Sequence, residues 1–374
     1  MSSVTLSDRA LGRATLARQL LLRRHDMAPL DAVDHLVGLQ AQEPRDPYVA
    51  LWSRLVGFDP AALERLLVDR EVVRVVVMRG TIHLVTAADC LAIRPLVQPV
   101  LDRELRTHQE HRGPLAALTP DVRREVLACA AAAVAERPMT GTQLRAVLTE
   151  RFADLDAAAL AYACRNHLTL VQVPPRGLWS RSGQVTTTTA ESWLGRALTA
   201  PMSIDDLVLR YLAAFGPALP ADAAAWSRLT AMGDVFERLR PQLVTFRDRS
   251  GRVLFDLPDA PRPDPDTPAP VRFLPEYDNV LLSHADRSRF VADAARAELS
   301  AAPAPVKGTV LADGQGLGGW RLDRDRATST ATMAIQTITL VDRAVLDEVE
   351  AEAARLAAFM APDAEARVDV TNLV

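Results

Sequence analysis

One order of helices and strands recurs along this chain of 374 residues, and it limits the possible folds more than any other feature. The clearest copy covers residues 203–257. Ser203 is a typical N-cap for an amphipathic helix, which ends at Gly216-Pro217. Two shorter helices follow, and then strands 243–247 and 252–257 with a turn between them. Three helices followed by a β-hairpin is the order of a winged helix, a variant of the helix-turn-helix.

Residues 112–200 follow the same order. Thr119-Pro120 supplies the cap and the first residue of a helix. Thr140 and Gln143 have the spacing of a capping box for a second helix, and a third helix is predicted at 156–168. The strands predicted around the following Pro-Pro-Arg-Gly turn are 169–173, 178–180 and 184–188.

Residues 1–111 look like a first copy of the same unit. Ser7 and Asp46-Pro47 stand at predicted helix starts, and a hairpin is predicted around Arg79-Gly80. Residues 87–111 are predicted to form a helical connection. The copies share an order of elements and not residue identity, so the alternative is a set of helical bundles with incidental hairpins. Three occurrences favour the winged helix.

The last part of the chain differs in composition. Its first residues, 258–270, are rich in proline and predict a stiff linker. The rest alternates short strands with glycine-rich turns around one helix near 345–359, which predicts a small β-rich domain. We therefore expect an α+β protein that is mainly α. The predicted division is 1–111, 112–200, 201–257, 258–270 and 271–374.

Composition restricts the cellular setting. The chain has no run of roughly 18 apolar residues, the length that a membrane span needs. Residues 1–19 lack the apolar core of a secretion signal, so we expect a cytoplasmic, nucleoid-associated protein. Cys90, Cys129 and Cys164 are scattered and lack metal-ligand spacing, which predicts buried thiols in a reducing compartment and no zinc. No cofactor motif is found.

The charge pattern does not by itself indicate nucleic-acid binding, since the formal net charge is −4. Almost every cation is arginine, which grips phosphate with two parallel hydrogen bonds. Any DNA surface must therefore be a local arginine-rich face.

Two short patterns are candidates for chemistry. In the extended segment Gln40-Ala41-Gln42, residues two apart project to the same side, so the amides of Gln40 and Gln42 would converge. Thr81 and His83 share a face in the same way at the tip of the first hairpin. Surface glutamines and a structural histidine are the alternatives.

These residues stand in runs that resemble the winged-helix DNA-binding family containing AlkZ and YcaQ. The resemblance covers nearly the whole chain, and each run is short while their combination is specific. The matching runs are 38–44 (GLQAQEP), 47–54 (PYVALWSR), 79–85 (RGTIHLV) and 274–282 (LPEYDNVLL) with Asp286-Arg287.

The resemblance implies three winged-helix units around a DNA-binding channel, closed by a β-barrel-like domain. It implies a monofunctional glycosylase acting on double-stranded DNA that carries bulky N7-alkylguanines or interstrand cross-links. We expect a monomer, although the sequence itself leaves the oligomeric state open. Gln40 and Gln42 match the Gln-x-Gln signature of the AlkZ branch, whereas the YcaQ branch has Gln-x-Asp. The AlkZ branch is associated with self-resistance to DNA-alkylating natural products. Thr81 and His83 match a motif that lies against the catalytic pair.

The implied reaction suits these residues. N7-alkylation makes guanine cationic, so it departs neutral and needs no general acid. Two amides that orient water could suffice for so labile a bond. Glu43 or Asp46 could add negative charge near the sugar, although loop and helix capping are the expected roles. Lys307 is the only lysine and lies far along the chain, which argues against an amine nucleophile.

A cross-linked base is tethered to the opposite strand, so we expect an open channel in place of base flipping. Phosphate contacts would come from arginine side chains on the wings and helices. The candidates are Arg176, Arg181 and Arg249 on the wings and Arg54, Arg165 and Arg240 on the helices.

Two other functions stay open at this point. A transcription regulator could use tandem winged helices without catalysis, because fold does not fix function. A drug-sequestering protein would instead bind the alkylating compound in an apolar cavity.

Overall fold

The computed structural model describes residues 4–198, 200–291 and 306–373. Within those ranges, no helix is both long and apolar enough to cross a membrane. The helices are α1 (Asp8–Arg18), α2 (Pro29–His35), α3 (Asp46–Arg54), α4 (Pro60–Val68), α5 (Ala87–Leu96), α6 (Gln98–Thr107), α7 (Arg112–Ala116), α8 (Pro120–Glu136), α9 (Gly141–Arg151), α10 (Ala157–His167), α11 (Ala190–Leu194), α12 (Ile204–Phe215), α13 (Pro220–Ser227), α14 (Met232–Leu239) and α15 (Arg343–Met360).

The strands form three sheets. They are β1 (Leu39–Gln40), β2 (Val72–Val76), β3 (Ile82–Thr86), β4 (Met139–Thr140), β5 (Leu170–Gln172), β6 (Thr186–Thr189), β7 (Val244–Arg247), β8 (Val253–Asp256), β9 (Arg272–Leu274), β10 (Gly308–Ala312), β11 (Gln315–Asp325), β12 (Thr330–Thr337) and β13 (Glu365–Asn372).

The predicted caps are present at the starts of α1, α8, α9 and α12. The hydroxyls of Ser7, Thr119 and Ser203 each accept a hydrogen bond from a backbone N–H in the first turn of α1, α8 and α12. Thr140 and Gln143 form the reciprocal bonds of a capping box at the start of α9. Each cap satisfies backbone donors that a helix start leaves unpaired, which explains why the helices begin where the sequence predicts.

The first two hairpins join into one sheet, which the sequence analysis did not predict. The strand order is β1-β3-β2-β5-β6-β4. The junction is the antiparallel pairing of β2 with β5, where Val75 lies opposite Val171 and Arg74 opposite Gln172. Residues 178–180, predicted as a strand, lie instead in the loop between β5 and β6. The first two predicted units therefore share a continuous sheet.

The third predicted unit has its own small sheet, in which β7 pairs with β8. Its core is aromatic, with the rings of Tyr211, Phe215 and Trp226 in mutual contact. The start of the chain is attached here, because Leu6 donates its N–H to the carbonyl of Arg247. This part of the structure thus combines α12–α14 with residues from before α1.

The C-terminal sheet has the order β13-β12-β11-β10-β9 and is open, so the expectation of a barrel-like domain is wrong for the described residues. β13 pairs parallel to β12, whereas the other neighbours are antiparallel. A parallel pair needs a crossover, and α15 supplies it. Leu356 of α15 packs with Phe273 and Met333. The edge strands β9 and β13 do not pair with each other among the described residues, so the sheet is not closed.

The proline-rich segment 258–270 is held down by arginines of α1. Arg13 donates from Nε to the carbonyl of Thr267, and Arg18 donates to the carbonyl of Pro261. Arg18 also makes a buried, two-pronged ion pair with Asp256 of β8. The segment is therefore packed along α1 at defined contacts.

A second buried ion pair fixes the loop that follows β9. Both carboxylate oxygens of Asp278 accept hydrogen bonds from Arg54 of α3, each at 2.8 Å. The two side chains are at most 1% exposed. The next residue, Asn279, donates from Nδ2 to the carbonyl of Gly38 at 2.6 Å. Asp278 thus holds α3, and the adjacent Asn279 holds the turn that precedes β1.

We expect Asp278→Ala to lower the free energy of unfolding by about 3–5 kcal/mol, because it leaves the guanidinium of Arg54 buried without its partner. Urea unfolding of the variant beside wild type measures this. Asp121→Ala is the control, since Asp121 is paired with Arg124 but is 86% exposed. Equal midpoints for the three proteins would contradict the structural role of Asp278.

Candidate active site

Strand register brings two of the predicted site residues together. β1 pairs antiparallel with β3, and Gln40 lies directly opposite His83. Opposed residues of an antiparallel pair project from the same face. Both side chains are buried, with 7% of Gln40 and 1% of His83 exposed. Gly38 precedes β1 with φ of +88°, and a Cβ there would lie 2.7 Å from Val85 Cγ1, so glycine is required for this approach.

Arg79 connects these two side chains. Its Nη2 donates to Gln40 Oε1 at 2.5 Å and lies 3.4 Å from Nε2 of His83. Its Nη1 donates to the carbonyl of Trp226 in α13 at 2.9 Å. Arg79 has φ of +58°, a left-handed conformation that is uncommon outside glycine and concentrated at functional sites.

The tautomer of His83 follows from its neighbours. Guanidinium groups only donate, so Nε2 of His83 must be the acceptor toward Arg79. Nδ1 then carries the proton and donates to the carbonyl of Thr81 at 3.0 Å. Burial lowers the pKa of His83 to about 3, and the charge of Arg79 acts in the same direction. His83 is therefore a neutral acceptor at physiological pH.

Thr81 supports this arrangement through its backbone. Its carbonyl accepts the His83 proton, while its hydroxyl donates back to the carbonyl of Met78 at 3.2 Å. The side chain of Thr81 thus closes the turn Met78–Gly80.

Gln42 lies in a different setting from Gln40. Ala41 continues the pairing, since its N–H donates to the carbonyl of Ile82 at 2.8 Å and its carbonyl accepts from Arg74 at 2.7 Å. Gln42 itself is exposed and lies in a bend. The segment is therefore extended only through its first part, with one buried and one exposed amide.

A cleft of about 570 Å³ borders the residues that follow Gln42. Acidic and basic side chains face it from five parts of the chain. Arg45 lies over the ring of Trp179, 4.6 Å from the ring centroid. Its charged lining residues are Glu43, Arg45, Asp46, Arg176, Arg181, Glu276, Lys307 and Arg326. Lys307 is remote in sequence but lines this cleft, so sequence distance is no argument against its taking part in the chemistry.

Asp46 has an unusual environment in this cleft. Burial, together with the negative charges of Glu276 and Glu43, raises the pKa of Asp46 to about 7. Its Oδ2 is buried and has no hydrogen-bond partner. The predicted capping role is not observed, since Arg45 is the N-cap of α3 and no side-chain cap bond is present. The raised pKa of Asp46 depends on its burial and on the charge of Glu276, 230 residues away in sequence, which local sequence does not reveal.

The six arginines predicted to contact DNA differ in their surroundings. Arg176 and Arg181 line the cleft beside residues 43–46. Arg165 is exposed on α10 and lines a separate cleft with Arg145. Arg165 and Arg181 are exposed, whereas Arg176 is half-buried and its Nε is buried without a hydrogen-bond partner.

The other three arginines have protein partners. Arg240 pairs with Glu237, and Arg249 lies 3.6 Å from Asp8 while staying 67% exposed. Arg54 is fully buried against Asp278, and burial of this kind is incompatible with a phosphate contact. The prediction for Arg54 is therefore wrong. Its partner is 224 residues away in sequence, which made its helical position look like a surface one.

This framework of helices and open sheets is also found in a solved DNA glycosylase. The structure of Streptomyces sahachiroi DNA glycosylase AlkZ matches it with a TM-score of 0.78 at 20% sequence identity, over 98% of this chain and 100% of that one. The sequence comparison is more specific. Residues 33–359 match the family model described as DNA glycosylase AlkZ-like, and the chain therefore belongs to the AlkZ-like DNA glycosylase family. A comparison with curated proteins found no match.

The family membership predicted from the short runs is thus confirmed. The sequence places Arg79 in a hairpin turn and in one of those runs, and neither pattern indicates a role for it in the site. Its contact with Gln40 depends on the register of β1 with β3, and its contact with Trp226 depends on the packing of α13. A charged residue at a hairpin tip is usually solvated, so no local pattern indicates that Arg79 is buried.

The raised pKa of Asp46 predicts a pH-dependent stability difference. A carboxyl whose folded pKa exceeds its unfolded value stabilises the fold fully below the unfolded pKa, and this is lost as pH rises through the folded pKa of about 7. Asp46→Asn removes the titration. We expect the variant to gain about 2 kcal/mol relative to wild type between pH 5 and pH 8. Asp266→Asn, at a 92% exposed side chain, is the control. Stability curves that stay parallel for Asp46→Asn would show that Asp46 ionises normally.

Proposed function

We propose that this chain is a monofunctional DNA glycosylase that hydrolyses the N-glycosidic bond of N7-alkylated guanine. The proposal rests mainly on the hydrogen-bonded group of Gln40, Arg79 and His83. Gln40 in this group precedes the exposed Gln42 by two residues. A protein that only binds DNA needs no buried arginine to orient an amide. Membership of a DNA glycosylase family supports the same conclusion.

The chemistry fits the neutral groups at this site. Alkylated N7 already carries a positive charge, so the base leaves without protonation, and His83 has a pKa too low to act as an acid. The sugar develops oxocarbenium character, which nearby carboxylates stabilise. Glu43 and Glu276 border the adjoining cleft and would supply this charge. A water held by amide groups would then attack C1′.

The substrate is proposed to be duplex DNA that carries a bulky adduct or an interstrand cross-link. An open cleft, with Arg176 and Arg181 on one side and the 43–46 segment on the other, suits a lesion that stays in the helix. Arg165 would contact phosphate further along the duplex. The role proposed for the protein is resistance to a DNA-alkylating natural product, acting in the cell interior as a monomer.

The first test is release of N7-methylguanine and of a bulkier N7 adduct from alkylated duplex DNA. Gln40→Ala/Gln42→Ala should lower the rate at least about 100-fold, because it removes both groups proposed to orient the reactants. DNA affinity should stay close to that of wild type. Gln109→Ala, at another exposed glutamine, should match wild type in both assays.

The outcomes separate the possible functions. Release by the double variant would move catalysis elsewhere in the protein. Absence of release by wild type from either DNA, with tight duplex binding, would favour a regulator. Binding of the alkylating compound without DNA would favour sequestration.

Lys307 requires its own test because it lines the cleft. If water is the nucleophile, Lys307→Ala should keep base release within about threefold of wild type, as for an ordinary exposed residue. Borohydride added to the reaction should then trap no protein–DNA adduct. A trapped adduct that disappears in Lys307→Ala would identify an amine nucleophile and contradict the monofunctional mechanism.

A further inference from the structure

The contact between Arg79 and Gln40 has a fixed polarity. A guanidinium has five N–H donors and no acceptor, so the amide atom 2.5 Å from Nη2 must be the carbonyl oxygen of Gln40. The amide NH2 group of Gln40 therefore points away from Arg79. An amide free to rotate would present either end to a ligand, and this one presents only its donor.

Arg79 is well suited to hold that orientation. Burial lowers its pKa to about 10, and the neighbouring charges of Arg287 and Arg228 act in the same direction. Its hydrogen-bond partners among the described residues are neutral groups, namely Gln40, His83 and the Trp226 carbonyl. A charge-assisted bond to one end of an amide polarises the N–H groups at its other end. Gln40 is consequently a strengthened donor and a weakened acceptor.

A water nucleophile has the opposite requirement. It must give its own hydrogen bond to an acceptor in order to direct a lone pair at C1′. The Gln40 carbonyl is already bound by Arg79, whereas Gln42 is exposed with its amide outside this network. The two amides therefore cannot have interchangeable roles.

We propose that Arg79 is a positioning residue that divides the work between the two amides. Held by Arg79, Gln40 donates to an acceptor atom of the departing guanine, which regains electron density as the glycosidic bond breaks. Gln42 is the amide that accepts from the attacking water. His83 is a neutral acceptor that helps to hold the Arg79 guanidinium in its position beside Gln40. This inference rests on the proposed glycosylase activity.

The test compares acidic substitutions at the two glutamines. Gln40→Glu keeps an acceptor for Arg79 but removes the donor, so kcat for base release should fall about 100-fold, as when an active-site donor is deleted. Gln42→Glu keeps an acceptor for water and should retain kcat within about tenfold. Circular dichroism and thermal unfolding of each variant check folding.

Arg79 is tested directly by single-turnover kinetics. Arg79→Met should lower kcat about 100-fold with little change in the Kd for DNA, because the Gln40 amide loses its fixed orientation. Added guanidinium at low millimolar concentration should restore part of the rate to Arg79→Ala but none to Gln40→Ala. Arg124→Met, at an arginine that is 76% exposed, is the matched control and should resemble wild type.

Different results would overturn the glycosylase proposal and the inference about Arg79. An inactive wild-type protein would overturn the glycosylase proposal, and the inference about Arg79 with it. An active wild type in which Gln40→Glu is as fast as Gln42→Glu would overturn only the division of roles. A change confined to Kd in Arg79→Met would make Arg79 a DNA-binding residue and also overturn the inference.

Discussion

The buried pair of Arg54 and Asp278 is the constraint on which the candidate site depends. Two charges at most 1% exposed tolerate little displacement, because separating them leaves each without water or partner. The adjacent Asn279 holds the carbonyl of Gly38. The glutamine segment lies between Gly38 and α3. One short loop, which contains Asp278 and Asn279, therefore holds both the start of this segment and the helix that follows it. The orientation of Gln40 by Arg79 is then set on a fixed strand.

Much of the helical framework could be predicted because helix starts are local. Ser7, Thr119 and Ser203 cap the helices that follow them, and no distant residue is needed to recognise this pattern. The pairing of β2 with β5 is not local, since it joins strands almost 100 residues apart. The same holds for the parallel pairing of β13 with β12. Short strands of valine and threonine do not specify which neighbour they take.

Only part of the candidate site could be predicted from the spacing of residues along the strands. Alternation within strands picks out Gln40 and His83, but their pairing follows from the register of β1 with β3, and the expected convergence of the Gln40 and Gln42 amides is not observed. Arg79 and Asp46 acquire their properties from burial by segments far along the chain, and Arg54 was misassigned for the same reason. Sequence identifies side chains that carry chemistry, whereas tertiary contacts determine their charge state and orientation.

The anchoring of the glutamine segment by Asp278 and Asn279 also bears on the order of synthesis. A ribosome releases the N-terminal part of a chain first, at about 5–20 residues per second, and domains generally fold as they emerge. Gln40 leaves the ribosome more than 200 residues before its anchors do. The nascent protein can build its first helices and hairpins early, but the segment that holds Gln40 gains these anchors only after Asp278 and Asn279 have been synthesised. A chain that stops before Asp278 would therefore lack the anchors of this segment.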